Sequence, residues 1–343
     1  MQLYLRIRSK INEEMKKVLL SCILLVYLSS CNKEYSEQFV AYNNNALNSD
    51  TAWMASAAAR DGANIVVPAL LAAPMIDSFD AVAGGEIRFP DNITITFPPH
   101  ACMPMGSVTV SGKIKVELTY LKKKGDFIRY AKPTTSYDYL LQTGGSFNVG
   151  LSQNGNPILL APGIAYKIKY RNTAPSNDMK FFYEELWLTS TDSSATWALG
   201  SGNQGNVNTW QQFDTASQSI IRGYEMTSTK QRWVNCDYFN DTSQPYTRMN
   251  VSLPINYTNA NTSIYAVFKN KNIIAGLKSD FVSKTFYLPR IPINSEIILV
   301  SISKIGNDYY LGKKDITANN SNLISVSPEP KSLGDISNFL NGL

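Results

Sequence analysis

Residues suited to acid–base catalysis or metal binding are scarce in this chain. His100 is the only histidine, and it lies in Pro98-Pro99-His100-Ala101-Cys102, which predicts a surface turn between strands. His100 and Cys102 supply two metal ligands at most, whereas a zinc site uses three or four. A cysteine–histidine nucleophile pair also needs a third group that orients the histidine, and the sequence shows none. We therefore expect no catalytic residues, no metal and no cofactor.

Other catalytic patterns also argue against an enzyme. The chain contains no G-x-S-x-G elbow, phosphate-binding loop or H-E-x-x-H motif. Residues 301–304 match S-x-x-K, but they lie in an apolar alternating run that predicts a strand, whereas the motif opens a helix in serine acyltransferases. Glu184 and Glu185 are neighbours on a predicted strand, so their carboxylates point to opposite faces and do not form a glycosidase pair. A hydrolase acting through Ser301 or Cys102 is the less favoured alternative.

Cys31 has the chemistry of a lipid acceptor. From Met15 the chain shows a basic pair, Lys16-Lys17, then an apolar stretch over 18–28, then two serines directly before Cys31. This order is typical of a signal peptide, and the apolar stretch is shorter than the ~18–20 residues of a spanning helix. The ending L-S-S-C resembles the lipobox of bacterial lipoproteins, which implies cleavage before Cys31 and diacylglycerol on its thiol. An ordinary secretory signal with a chance cysteine is the alternative.

The residues around this signal bear on the start codon and the location. Residues 1–14 precede the second methionine, so translation from Met15 and a long basic n-region are both open. Asn32 follows Cys31, in place of the aspartate that retains many proteobacterial lipoproteins at the inner membrane. The resemblance therefore implies an outer-membrane lipoprotein that faces the periplasm or the cell surface. Two or three acyl chains make a lasting anchor, whereas one chain binds only marginally.

The charge balance narrows the range of partners. The chain carries a net charge of +5, and residues 1–30 contribute +3 of it through five Lys or Arg and two Asp or Glu, which leaves +2. Such a balance gives no basis for binding nucleic acid, so we expect the lipid to be the membrane link. The one basic run, Lys122-Lys123-Lys124, predicts a solvated hairpin turn.

Two cysteines remain once the signal peptide is removed and Cys31 is lipidated. They are Cys102 and Cys236. In an oxidising compartment they can form a disulfide, and two buried free thiols are the alternative, because spacing alone does not decide between them.

Period-two alternation dominates the chain after residue 75 and predicts strands with one buried and one wet face. Asn154-Gly155 supplies the pair of positive φ angles that a tight hairpin turn requires. Residues 200–208, rich in Gly, Ser and Asn, predict a loop. Ser332 is a predicted N-cap for a C-terminal helix with Asp335 in its first turn. Strands are predicted at 93–97, 113–118, 147–151, 158–160, 165–170, 181–188, 248–253, 263–269, 285–288, 296–303 and 309–312.

Six segments resemble the sequence pattern of ZU5-like β-domains in exported lipoproteins of the Bacteroidota. They are GGEIRFP (84–90), ITITFPP (93–99), VTVSGKIKV (108–116), KPTTS (132–136), GGSF (144–147) and WVNCD (233–237). The likeness covers most of residues 76–330 and implies β-domains without catalytic residues, since ZU5 domains elsewhere are scaffolding and interaction modules. Self-cleaving members use a His-Phe-Ser step, whereas Ala101 and Cys102 follow His100 here.

We therefore expect an all-β protein with two β-sandwich-like domains, the first ZU5-like and the second Ig-like, and short terminal helices. The first helix is predicted over 46–60, around Trp53 and Met54. The expected boundaries are a signal peptide at 1–30, a lipidated N-terminus with tether and helix at 31–75, β-domains at 76–225 and 226–330, and a C-terminal helix at 331–343.

Tryptophans are the remaining candidates for contact with a ligand. Trp187 and Trp233 are expected to fill a core or a domain interface, whereas Trp197 and Trp210 flank the predicted loop and are candidates for stacking on sugar rings. We expect a non-enzymatic envelope lipoprotein that serves as a structural or protein-interaction module at the outer membrane. The alternative is a glycan-binding surface lipoprotein that uses exposed tryptophans. The expected partner is thus an unidentified protein or glycan.

Overall fold

The structure is a computed structural model that describes residues 52–55, 68–104, 110–188, 193–215, 217–240, 243–319 and 323–343. The predicted signal peptide, Cys31 and most of the predicted tether and N-terminal helix lie outside these residues. In the described part of the chain, neither helix is long and apolar enough to cross a membrane.

Strands make up most of the described chain, so the predicted all-β class is confirmed. Two short helices are described, α1 (Lys124–Arg129) and α2 (Leu333–Asn341). The strands in chain order are β1 (Met75–Asp80), β2 (Gly85–Phe89), β3 (Ile93–Phe97), β4 (Cys102–Pro104), β5 (Lys113–Leu121), β6 (Thr135–Ser136), β7 (Tyr139–Gln153), β8 (Asn156–Leu160), β9 (Tyr166–Arg171), β10 (Lys180–Leu188), β11 (Ser193–Leu199), β12 (Gly205–Asp214), β13 (Ser219–Ser228), β14 (Trp233–Phe239), β15 (Tyr246–Ser252), β16 (Thr262–Phe268), β17 (Ile274–Gly276), β18 (Lys278–Asp280), β19 (Thr285–Pro292), β20 (Glu296–Ile305), β21 (Asp308–Thr317), β22 (Ile324–Ser325) and β23 (Glu329–Pro330).

Two sheets pack face to face in the first sandwich. The larger has the order β1-β5-β7-β14-β10-β11 with β4, β6 and β8 attached, and the five-stranded sheet has the order β12-β13-β9-β3-β2. The alternation seen in the sequence explains this packing: Ile93, Ile95 and Phe97 of β3 are buried, while Thr94 and Thr96 between them face outward. The buried rows of both sheets meet in one core.

The second sandwich pairs a sheet of order β18-β19-β15-β22 with a sheet of order β17-β16-β20-β21-β23. Every residue of β16 is buried. One face of this strand, with Ile264 and Ala266, packs into the core between the two sheets. Its other face, with Tyr265 and Val267, packs into a further apolar cluster, which we call the third core. The apolar run over residues 264–268 of β16 is therefore explained by burial on both faces.

The third core joins the two sandwiches through the helices. Phe127 and Ile128 of α1 and Ile336 of α2 pack there against β16 and β20. Arg129 ties the helices together, because its Nη2 donates to the Ser337 carbonyl at 2.9 Å. Backbone bonds reinforce the junction, as when the Thr134 amide donates to the Ile274 carbonyl at 2.7 Å.

Two local predictions are confirmed. The hairpin β7–β8 turns through Asn154 and Gly155, whose φ angles are 52° and 80°. Helix α2 begins after Ser332, whose side chain accepts a hydrogen bond from the Asp335 amide. Both predictions rest on side chains or φ angles that act within a few residues.

Three predicted details differ from the structure. Residues 52–55 are not helical; the amide of Met54 there donates to Oδ1 of Asn259 at 2.8 Å. Lys122-Lys123-Lys124 leads into α1 rather than a hairpin turn, because Oδ2 of Asp126 accepts bonds from the amides of Lys122 and Lys123. The segment 233–237, which falls within the predicted second domain of 226–330, lies in β14 between β7 and β10 of the first sandwich. The division of the chain into domains stays a prediction.

Candidate interaction surface

The hairpin formed by β12 and β13 extends past the sheet that carries it. Pairing between β13 and β9 ends at Gly223, which lies opposite Arg171. Pairing between β12 and β13 continues beyond that point to Asp214 and Ser219. Residues 211–214 and 219–222 therefore pair with each other and with no other described strand, although the Asn172 amide donates to the Arg222 carbonyl at 3.0 Å. We call these residues the arm.

The end of the arm carries an exposed apolar pair. Phe213 and Ile220 lie directly opposite each other, and each is 55% exposed. They continue the inward-facing row of β12, in which Val207 packs against the first core. Since side chains alternate strictly along a strand, extending the hairpin past the core leaves the next members of that row in solvent. The turn is held by Ser217, whose Oγ donates to Oδ2 of Asp214 at 2.6 Å.

The outer edge of β12 is long and regular. This strand has ten residues, ends its sheet, and pairs with β13 without a bulge. It contains no Lys, Arg or Pro, and Asp214 is its one charged residue. By contrast, β2 at the opposite edge is five residues long and carries Glu86 and Arg88. Charges, prolines, bulges and short strands are the usual protection of a sheet edge, and β12 has none of them over residues 205–213.

Trp210 lies on the solvent face of the same sheet. It is half-buried and opposite Gly223, and the Nζ of Lys169 lies 4.3 Å from its ring centroid. Its Nε1 is buried with no hydrogen-bond partner among the described residues. One ring face is thus covered by an ammonium group in a cation–π contact. The predicted role of Trp210 in contacting a glycan stays a prediction.

The other tryptophans are placed differently. Trp197 is 3% exposed, and its Nε1 donates to the Pro133 carbonyl at 2.8 Å, so the expectation that it is exposed is wrong. The reason is that β11 runs to Leu199, so Trp197 lies within a paired strand rather than beside a loop. Trp233 packs against the third core, as an interface residue would. The side chain of Trp187 lies outside the described residues.

The remaining predicted site residues are not brought together. Cys102 and Cys236 are free thiols, so the disulfide is not formed; the alternative of two buried thiols holds for Cys236, whereas Cys102 is only half-buried. Burial raises the pKa of Cys102 to about 11, which keeps its thiol protonated at neutral pH. His100 is exposed in its turn, and Ser301 is buried on β20, as the strand prediction required. Among the described residues, no group of three or more His, Cys, Asp or Glu side chains is placed to hold a metal.

A buried carboxyl lies beneath the junction of the two sandwiches. Asp237 is fully buried, and its Oδ2 accepts a hydrogen bond from Nδ2 of Asn235 at 2.7 Å. Thr143 donates to Oδ1 of Asn235 at 3.0 Å, and its carbonyl accepts from Nδ2 of Asn272 on the second sandwich. Burial raises the pKa of Asp237 well above its usual value, against the opposing effect of these hydrogen bonds. The cluster holds the junction and is closed to solvent.

No protein-family model, curated protein or solved structure matches the chain. The sequence does not predict the arm, because residues 200–208 predict a loop and no strand is predicted between residues 188 and 248. The alternation that would predict this hairpin is present in the sequence. Val207, Thr209 and Phe213 fall on one face of a strand, and Ile220 follows after a polar turn. This alternation is weak, because polar residues occupy most positions on both faces of β12.

Proposed function

We propose that this protein is a non-enzymatic envelope lipoprotein, held at the outer membrane through Cys31, whose β-sandwiches present a protein-interaction surface. The observation that supports the interaction surface most directly is the arm together with the outer edge of β12, which pairs with no other described strand. The lipid anchor is supported by the resemblance of residues 15–31 to a lipoprotein signal.

Two kinds of binding energy are available at this surface. Edge backbone groups of β12 can hydrogen-bond to an added strand, which is a common mode of recognition between proteins. Phe213 and Ile220 add apolar area, and because each is 55% exposed, covering it contributes about half of the roughly 1.5–3 kcal/mol gained by burying a fully exposed side chain. Backbone hydrogen bonds at the edge of β12 would set the register of a bound strand, and the apolar contact at the arm would add affinity. The arm and the edge therefore act as one surface.

The surface stands on a rigid support. The sheet that carries it packs into the first core, where Tyr166, Tyr170 and Tyr224 are fully buried. The third core then joins this sandwich to the second one. A surface on such a support is presented without the entropic cost of ordering a loop at the moment of binding.

Photocrosslinking in cells tests the interaction surface. A photoreactive phenylalanine analogue in place of Phe213 is expected to give discrete protein adducts, because this side chain lies within the proposed interface. The same analogue in place of Ile255, which is 88% exposed on the second sandwich, is the control for exposed apolar character. Equal adduct patterns at the two positions, or none at Phe213, would show that the arm is not an interface.

Membrane fractionation tests the anchor. The Cys31→Ser variant cannot accept a thioether-linked lipid, so it is expected to leave the membrane fraction and to lose incorporation of labelled palmitate. A Cys102→Ser variant is the control, because that thiol is free and lies in a β-strand. Retention of label and membrane attachment in Cys31→Ser would rule the anchor out.

A glycan-binding surface is the second candidate, and the position of Trp210 on the solvent face favours it. Polar side chains flank the indole on the same face of β12, with Asn208 on one side and Gln212 on the other. Affinity electrophoresis in polysaccharide gels tests this candidate: retardation that Trp210→Ala abolishes and Phe213→Ala preserves would favour glycan over protein. Unchanged mobility in every gel would remove it.

A further inference from the structure

The edge of β12 is complementary to itself. Resting on the proposed role of this surface in protein interaction, we propose that its partner is a second copy of this chain. The two β12 strands pair antiparallel about a two-fold axis that passes through Trp210. This arrangement joins two five-stranded sheets edge to edge into one continuous sheet.

The two-fold at Trp210 fixes every pair across the interface. Opposite residues of antiparallel strands share a face of the sheet, so apolar residues must meet apolar ones for the register to hold. In this register Val207 meets Phe213 of the second copy. On the solvent face Asn208 meets Gln212, and on the inward face Thr209 meets Gln211. The apolar pair and the amide pair each occur twice, once on either side of the axis.

Neighbouring registers lose this match. A shift that moves the axis to Thr209 places Val207 opposite Gln211, and a shift to Gln211 places Phe213 opposite Thr209. Both leave the exposed ring of Phe213 without an apolar partner from β12. Of these three registers, the two-fold at Trp210 is the one in which the most exposed apolar side chain of the strand meets an apolar partner.

Charge also permits this pairing. Asp214 is the only charged residue of β12, and in this register it lies opposite Asn206. No like charges face each other along the strand, and like charges directly opposite are what disfavours a cross-strand pair. A symmetric contact also uses the arm twice, because each copy supplies one edge and one apolar tip.

Paired charge variants test the register by sedimentation of the full chain in detergent. Asn208 and Gln212 are both exposed, so substitutions there leave the core intact. Asn208→Lys with Gln212→Lys places two like-charge pairs across the axis and is expected to weaken dimerisation about tenfold. Asn208→Lys with Gln212→Glu places two opposite-charge pairs there and is expected to dimerise at least as well as the native chain. Because both variants carry the same lysine at position 208, the local effect of that substitution on the monomer cancels.

Cysteine crosslinking provides a second measurement of the same geometry. In a mixture of Asn208→Cys and Gln212→Cys chains, oxidation is expected to give a crosslinked dimer that neither chain gives alone. A mixture of Asn206→Cys with Gln212→Cys is displaced by two residues and is expected to crosslink much less, since diagonal positions lie about 7–8 Å apart rather than about 5 Å. Cys102 and Cys236 are present in every sample, so they cannot account for the difference.

Three outcomes overturn the proposal. They are a native chain that stays monomeric up to about 100 µM, equal self-association of the two charge variants, and preferential crosslinking in the displaced mixture. Failure of the proposed dimer can be distinguished from failure of the proposed interaction surface. Adducts from position 213 that contain a different protein would refute the second copy and keep the interaction surface, whereas no adduct at all would refute both.

Discussion

At the scale of single residues, the carboxyl of Asp237 is notable because it is an ionisable group in the protein interior. This carboxyl is fully buried, and Oδ1 has no hydrogen-bond partner among the described residues. Burial penalises the charged form and raises the pKa of Asp237 in the folded state. The folded protein therefore holds this proton more tightly than the unfolded chain, in which an aspartate has a pKa of about 3.9.

The sign of the pH dependence follows from this difference. The stabilisation that comes with the proton is fully present below the unfolded pKa and is lost as pH rises through the raised folded pKa. We expect Asp237→Asn to remove that loss, so that its free energy of unfolding no longer falls as pH rises above about 3.9, because the amide does not titrate. Urea unfolding measured from pH 4 to 8 checks it. Asp308→Asn, at an exposed carboxyl, is the control, and an unchanged pH slope in Asp237→Asn would contradict the assignment.

At the scale of elements, the two hairpins of the first sandwich show what the sequence can predict. The β7–β8 hairpin was predictable because Asn154-Gly155 encodes its turn locally, between strands with clear alternation. The β12–β13 hairpin has no such turn residues, and polar residues occupy most positions of β12, so the sequence of that strand resembles that of a loop. The pairing of this hairpin depends on contacts with β9 and the rest of the sheet, and a local sequence pattern does not predict such contacts.

The turn of the β7–β8 hairpin gives a prediction about backbone conformation. Gly155 has a φ of +80°, and nothing lies within 4 Å of a Cβ added there. Gly155→Ala therefore tests conformation alone, and we expect it to lower the free energy of unfolding by about 1–2 kcal/mol. Gly202→Ala is the matched control, because Gly202 also faces open space but lacks the positive φ, and it should be close to neutral. Thermal unfolding measures both, and equal effects would contradict the explanation.

At the scale of the whole molecule, the feature beyond reach of the sequence is the third core. The strands of both sandwiches were largely predictable from alternation, but the apolar residues of α1 give no indication that they pack against α2 and β16. That cluster brings together segments far apart in the chain, such as Phe127 and Ile336. Likewise, Trp197 was misplaced because its burial depends on Pro133 and Phe182 in other elements. Long-range packing of this kind has no short-range pattern.

The third core predicts that the two sandwiches unfold together. Gly125 is the tightest point, since an added Cβ would lie 1.9 Å from the backbone oxygen of Leu340. Gly125→Ala must push α1 and α2 apart, and such overpacking costs about 1–3 kcal/mol or more. We expect the native chain to show one denaturant transition and Gly125→Ala to show an earlier, broader or divided one. Gly334→Ala in α2, whose nearest neighbour would be Oγ of Ser332 at 3.7 Å, is the control and should keep the single transition. A divided transition in the native chain would mean that the third core does not couple the sandwiches.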